Sequence, residues 1–291
     1  MRWEGSRESS NVEDRRDAGG GLGGFGLGGR TIGIGTVVVA LIGGWIFGIN
    51  PLTMLNLLTG GGDGATAVQQ APAHAPPAND KQAAFVSTVL ASTEDVWGEL
   101  LRSQGGYRAP KLVLYRGATP TGCGRGQAAM GPFYCPTDQR VYLDLDFFDT
   151  LSRRLGAPGD FAQAYVVAHE VGHHVQNLLG VTERVEQLRG RESEAQANAV
   201  SVRVELQADC LAGVWAHHSQ QAKGWLESGD VEEALNAASQ IGDDTLQKKS
   251  RGVVVPESFT HGTSAQRVNW FRRGLQSGNV SNCDTFGSRE L

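Results

Sequence analysis

His169, Glu170 and His173 stand in the order HExxH, and that spacing describes a piece of chemistry. Residues four apart on an α-helix share a face, so two imidazoles can reach a single Zn2+ at about 2.1 Å. Glu170 projects beside them, where a carboxylate can accept the proton of a zinc-bound water and later deliver it to a leaving amine. The chain's own composition would produce such a pentapeptide on the order of once in a hundred shuffled sequences, so the motif alone is moderately specific. Its setting adds weight. Ala164, Val166, Val167, Ala168, Val171 and Val175 make the segment too apolar for a polar surface helix. Buried His and Glu side chains need partners, and a metal supplies one.

A catalytic zinc has three protein ligands and an open position, so a third ligand is expected. The pattern HExxHxxGxxH is excluded because the positions needing Gly and His hold Gln176 and Leu179. A carboxylate from a second helix is the alternative. Residues 193–218 read as such a helix, with Val200, Val204, Leu211 and Val214 on repeating apolar positions. Glu205 and Asp209 fall on one face of it. Glu205 is expected to ligate the metal, and Asp209 to accept the second N–H of a ligating histidine. Solvated acids on a helical edge are the competing account, and the apolar flanks argue against it. Glu194, His217 and His218 are rival ligands, but none offers both roles at helical spacing.

Several elements must position these groups. Asp160 can cap and Gly180 can end the HExxH helix. Asn79 or Asp80 can cap a helix reaching about Arg102, with Phe85, Val89, Val96, Leu100 and Leu101 as its stripe. Short strands are expected at 111–115 and 140–144, separated by a cysteine loop containing Gly and Pro, and the second strand could offer an edge to an extended peptide. The patterning is α+β.

The whole chain has 291 residues, 40% of them apolar, and a net charge of −5. That is enough for a packed core, and it leaves no basic surplus for a phosphate backbone, so nucleic acid is not an expected partner. Residues 1–30 read as a glycine-rich cytoplasmic segment, 31–50 as a transmembrane helix because 31–49 carry no charge, and 51–80 as a flexible linker. The catalytic domain is then 81–291. His74, among prolines in the linker, is a poor ligand candidate. A cleaved signal peptide ending near Ala65-Thr66-Ala67 is the rival to an uncleaved anchor. Arg15, Arg16 and Arg30 precede the span and no Lys or Arg follows until Lys81, which orients a single-pass protein with its domain outside, periplasmic or cell-surface. Cys123, Cys135, Cys210 and Cys283 all follow the span, where an oxidising compartment would let them pair. Cys123 and Cys135 flank one loop and are natural mutual partners, which leaves Cys210 for Cys283; buried free thiols are the alternative.

Residues 81–286 resemble the bacterial family of predicted neutral zinc metallopeptidases, the YpfJ-like proteins. The resemblance rests on Gly131-Pro132-Phe133-Tyr134-Cys135-Pro136, on Phe161-Ala162-Gln163-Ala164-Tyr165 running into His169-Glu170-Val171-Gly172-His173-His174, on Glu205-Leu206-Gln207-Ala208-Asp209-Cys210, and on Phe259-Thr260-His261-Gly262-Thr263-Ser264. It implies a zincin-like domain of the glutamate-ligand type that cleaves peptide or protein substrates with zinc as cofactor. It also brings forward His261, as a group facing the developing oxyanion, with Arg267 orienting that segment or sharing the role. A loop histidine capping the helix that starts near Thr263 is the competing account of His261. Tyr134 and Tyr142 are weaker candidates. Two other functions stay open at this level: a catalytically silent, zinc-stabilised domain that binds a peptide or partner, and hydrolysis of a non-peptide amide or ester. Oligomeric state is not legible.

Overall fold

The computed structural model describes residues 1–17, 74–127, 130–188 and 193–288. Its architecture is α+β, as expected: a mixed sheet, a separate hairpin and, among the described residues, eight α-helices. The sheet holds β1 (Val12–Asp14), β2 (Lys111–Tyr115), β5 (Phe133–Cys135) and β6 (Arg140–Asp144), in the order β1-β2-β6-β5. β1, β2 and β6 run parallel and β5 is antiparallel to β6. The central strands KLVLY and RVYLD are apolar on both faces because both faces are covered. Leu112, Leu114, Val141 and Leu143 join the main core under the helices, whereas Val113, Tyr115 and Tyr142 form a second cluster with Cys135 and Phe133.

β3 (Ala118–Thr121) and β4 (Gly124–Gln127) form the hairpin. The Cys123–Cys135 disulfide ties it to β5. Gly126 lets it approach: a Cβ there would lie 2.4 Å from the Phe133 ring. The expected loop between two strands is therefore structured, and β6 lies inside the sheet with β5 as its edge. Among the described residues the edge on this side of the sheet belongs to β5 and not to Arg140–Asp144, because β6 is paired on both sides, with β2 and β5.

The helices are α1 (Lys81–Leu100), α2 (Asp146–Arg153), α3 (Asp160–Leu178), α4 (Val181–Leu188), α5 (Glu194–Lys223), α6 (Asp230–Gln240), α7 (Asp243–Arg251) and α8 (Ser264–Ser277). α3 is buried almost all round, packed against α1, α5 and α6. Asp80 caps α1 through the N–H groups of Gln82 and Ala83. Ser193 and Thr263 cap α5 and α8 in reciprocal capping boxes with Gln196 and Gln266. Asp160 does not cap α3; its carboxylate accepts from the Trp3 indole while Gly159 holds the cap position. The second disulfide, Cys210–Cys283, ties α5 to the end of the chain.

Residues 1–17 are packed into the body of the fold. β1 pairs with β2, Asp14 bridges to His74, and Arg16 joins Asp14 and Asp80 in a shared ion pair. This overturns the expected single-pass protein with its domain outside. Among the described residues no helix is long and apolar enough to cross a membrane. The residues expected to span, 31–50, lie outside the described residues.

Candidate metal centre

The centre is built where α3 and α5 come closest. A Cβ at Gly172 would lie 3.0 Å from the Ala208 carbonyl oxygen, so glycine on α3 against alanine on α5 lets the two backbones meet. His169 and His173, one turn apart on α3, then face Glu205 on α5. The His169 Nε2 lies 3.1 Å from Glu205 Oε2 and the His173 Nε2 3.5 Å from Oε1. One ligand atom from each of the three falls within 4.8 Å of the others, a set that can hold a metal ion.

What stands behind the histidines fixes which nitrogen they offer. His169 Nδ1 donates to Asp209 Oδ1 at 2.8 Å, and His173 Nδ1 donates to Gln176 Oε1 at 2.8 Å. With their Nδ1 protons committed, both rings turn Nε2 toward Glu205. Asp209 is fully buried and is also held by Tyr165 Oη at 2.5 Å and by two N–H groups of Arg267, at 2.8 and 2.9 Å. Burial would raise the Asp209 carboxyl, but the charges and hydrogen bonds of Arg267 and His169 hold it down at about 2. Burial likewise opposes the charge on His169, yet Asp209 and Glu205 raise it to about 10. Glu205, despite burial, is held well below the ordinary carboxylate range by His173, His261 and His169. An ionised carboxylate beside imidazoles that favour positive charge is a place that receives a cation, and zinc fits both the donors and the field.

Glu170 projects into the same cavity, of about 750 Å3, whose walls include Phe133, Phe147, Leu155, Val166 and Leu246. Burial raises its carboxyl above the ordinary value, while the neighbouring imidazoles oppose that shift. His261 reaches the cavity from the loop before α8 and remains half-exposed. It does not cap that helix; Thr263 does. Asp243, at the start of α7, accepts the backbone N–H groups of Thr260, His261 and Gly262 and lies 3.4 Å from His261 Nδ1, so one buried carboxylate shapes the loop and faces the ring.

Other candidates separate cleanly. Arg267 is buried with its guanidinium turned to Asp209 and the Ile241 carbonyl. His174, adjacent to His173, points away, donating Nε2–H to the Arg108 carbonyl and accepting from Tyr134 Oη at Nδ1. Burial lowers it to about 4 and keeps it neutral. Tyr134 lines the cavity, whereas Tyr142 donates to Asp138 within the second cluster. His217 and His218 bond the Leu275 and Gly278 carbonyls, away from the centre. Glu194 sits at the start of α5, on the far side of more than two turns from Glu205. Sequence reasoning missed Tyr165, Gln176 as a partner of His173, and Asp243. Tyr165 stands four residues before His169, so helical spacing carried a signal for it. Asp243 carried none.

Over residues 1–286 the chain matches the family described as "Putative neutral zinc metallopeptidase". It is 53% identical to the uncharacterized protein YpfJ of Escherichia coli (strain K12) over 292 residues, 99% of each chain. It is 45% identical to the uncharacterized protein Rv2575 of Mycobacterium tuberculosis (strain ATCC 25618 / H37Rv) over 210 residues, 69% of each chain. No solved structure gives a significant match.

Proposed function

The chain belongs to the family described as "Putative neutral zinc metallopeptidase", and from that premise we propose that it hydrolyses internal peptide bonds of extended polypeptide segments at the α3–α5 centre, with Glu170 as general base. The observation that carries the proposal is the convergence of His169, His173 and Glu205 beside a buried Glu170 in one cavity. His169, His173 and Glu205 would hold the ion. Bound there, zinc supplies Lewis acidity that acidifies water and polarises a carbonyl.

The remaining work falls to the chain's own groups. Glu170, with a carboxyl raised by burial, accepts the proton of the attacking water and returns it to the leaving amine. Asp209, fixed by Arg267 and Tyr165, keeps the Nδ1 proton on His169. His261, half-exposed at the cavity and faced by Asp243, donates to the oxyanion that develops on the carbonyl. The free edge of β5, whose Phe133 and Tyr134 line the cavity, can take an extended substrate as an added strand. Among the described lining residues, Arg267 is the one guanidinium, and its N–H groups are spent on Asp209 and Ile241.

The test is metal analysis and peptide-library cleavage on the full chain, wild type against Glu170→Gln. Both proteins should retain zinc equally, and the variant should lose turnover by about 100-fold or more, the scale of general-base catalysis. Equal cleavage by both would sink the mechanism, and zinc retained without any cleavage by wild type would favour a silent binding domain.

A further inference from the structure

We infer that Gln176 is a positioning residue for His173, setting which ring nitrogen faces the metal, and that Gln207 fixes Gln176 in turn. The inference rests on the preceding reading that His173 is a zinc ligand. An imidazole presents one nitrogen's lone pair reliably when the other nitrogen keeps its proton, and that proton needs an acceptor. For His169 the acceptor is Asp209. For His173 it is Gln176 Oε1, at 2.8 Å from Nδ1.

An amide is ambiguous in principle, since its oxygen and nitrogen can be exchanged by a flip. Here its surroundings decide. Gln176 Nε2 lies 2.7 Å from the Val204 carbonyl oxygen and 3.0 Å from Gln207 Oε1, two acceptors that require the NH2 on that side. Gln207 is set by the same logic, because its Nε2 donates to the Cys283 carbonyl at 2.9 Å and leaves Oε1 for Gln176. The donors therefore run in one direction, from His173 to Gln176 to Gln207 to Cys283. Gln176 is only 2% exposed, so water does not compete for these bonds.

The relay is tied twice to the helix that bears Glu205, through the Val204 carbonyl and through Cys283. Val204 directly precedes Glu205, and Cys283 is bonded through its sulfur to Cys210 on α5. The two histidines are thus held by different means, His169 by a buried carboxylate locked to a guanidinium and His173 by a neutral amide chain that adds no charge. Gln176, one of the two positions that depart from the longer HExxHxxGxxH pattern, is the one that orients the second histidine.

The experiment measures zinc affinity of the full-length chain by competition with a chromophoric chelator, for wild type, Gln176→Met, Gln176→Glu and Gln207→Met. Methionine keeps the length of the side chain and removes the acceptor, so Gln176→Met should weaken zinc binding by about 10- to 100-fold. Gln176→Glu keeps an acceptor toward Nδ1 and should bind more tightly than the Met variant. Gln207→Met, one bond further away, should show a smaller loss in the same direction, which keeps the test open should position 176 not tolerate Met. A purely structural role predicts a different result: both position-176 variants would melt earlier without metal, with no order between them in zinc affinity. Zinc binding at the wild-type level in Gln176→Met, or an equal loss in the Glu variant, would overturn the inference. A wild-type chain that retains no zinc would bring down the ligand assignment itself, and this inference with it.

Discussion

Asp209 carries a negative charge with no exposed surface, and the partner that makes this tolerable is Arg267, itself 2% exposed. Removing one member of a buried ion pair leaves the other without compensation, at a cost of about 3–5 kcal/mol. Arg267→Met should therefore lower stability by about that amount in urea unfolding. Adding Asp209→Asn to the same chain should recover a good part of the loss, because it removes the stranded charge. If the double variant is no more stable than the single one, the pair is not the reason Arg267 is buried there. At this scale the sequence was legible where chemistry followed helical spacing. His169, His173, Glu205 and Asp209 are each readable from i, i+4 relations within one helix. Arg267 is 58 positions from the carboxylate it holds, and Asp243 lies 18 before His261. No local pattern links such residues, and only the resemblance drew attention to Arg267 at all.

Helices α5 and α8 cross at a distance that only glycine permits. A Cβ on Gly274 would lie 1.9 Å from the Cys210 carbonyl oxygen, and one on Gly213 would lie 2.1 Å from that of Phe271. Neither neighbour is a flexible side chain, so a backbone must move. Gly274→Ala should cost about 1–3 kcal/mol or more by overpacking. Because α8 carries Arg267, the shift should also weaken zinc binding, which separates this site from an ordinary core defect. An unchanged melting temperature in this variant would mean that the helices do not meet there. A milder change at the other end of α8, Thr263→Ala, removes a capping hydroxyl and should cost about 1 kcal/mol. Helices α1 and α5 were visible as apolar periodicity, α3 as an apolar stretch between Asp160 and Gly180, and the strands Lys111–Tyr115 and Arg140–Asp144 as short apolar runs, whereas α2, α4, α6 and α7 were not read. The crossing of α5 and α8 was not visible. Glycine inside a helix reads as a weakness in propensity, and only the neighbouring helix shows that it is a point of contact.

For the molecule as a whole, the first residues matter most to how the sheet ends. Glycine runs and the uncharged stretch after them dominate any reading of the first fifty residues, and a three-residue strand has too little periodicity to stand out. Yet β1 extends the sheet beside β2, nearly one hundred positions later, and its ion pairs fasten that edge to the start of α1. Arg16 bridges Asp14 and Asp80 at the junction. Burial would raise both carboxyls, but hydrogen bonds and the charge of Arg16, with backbone N–H donors, bring each below its ordinary value. A carboxyl whose pKa is depressed in the folded state stabilises that state above its unfolded pKa, and the contribution disappears as pH falls through the folded value. Acidification below about pH 4 should therefore weaken the ion pairs that Asp14 and Asp80 make with Arg16. Asp144 acts in the opposite sense, because burial raises its carboxyl, so the total stability curve is not a clean reading of the arm. The difference between wild type and Arg16→Met is. The variant should be less stable near neutral pH, and the gap should shrink as pH is lowered from about 5 toward 3, where wild type loses what the variant already lacks. Unfolding midpoints in urea across that range supply the measurement, and a gap that stays constant with pH would show that Arg16 does not act through these two carboxylates.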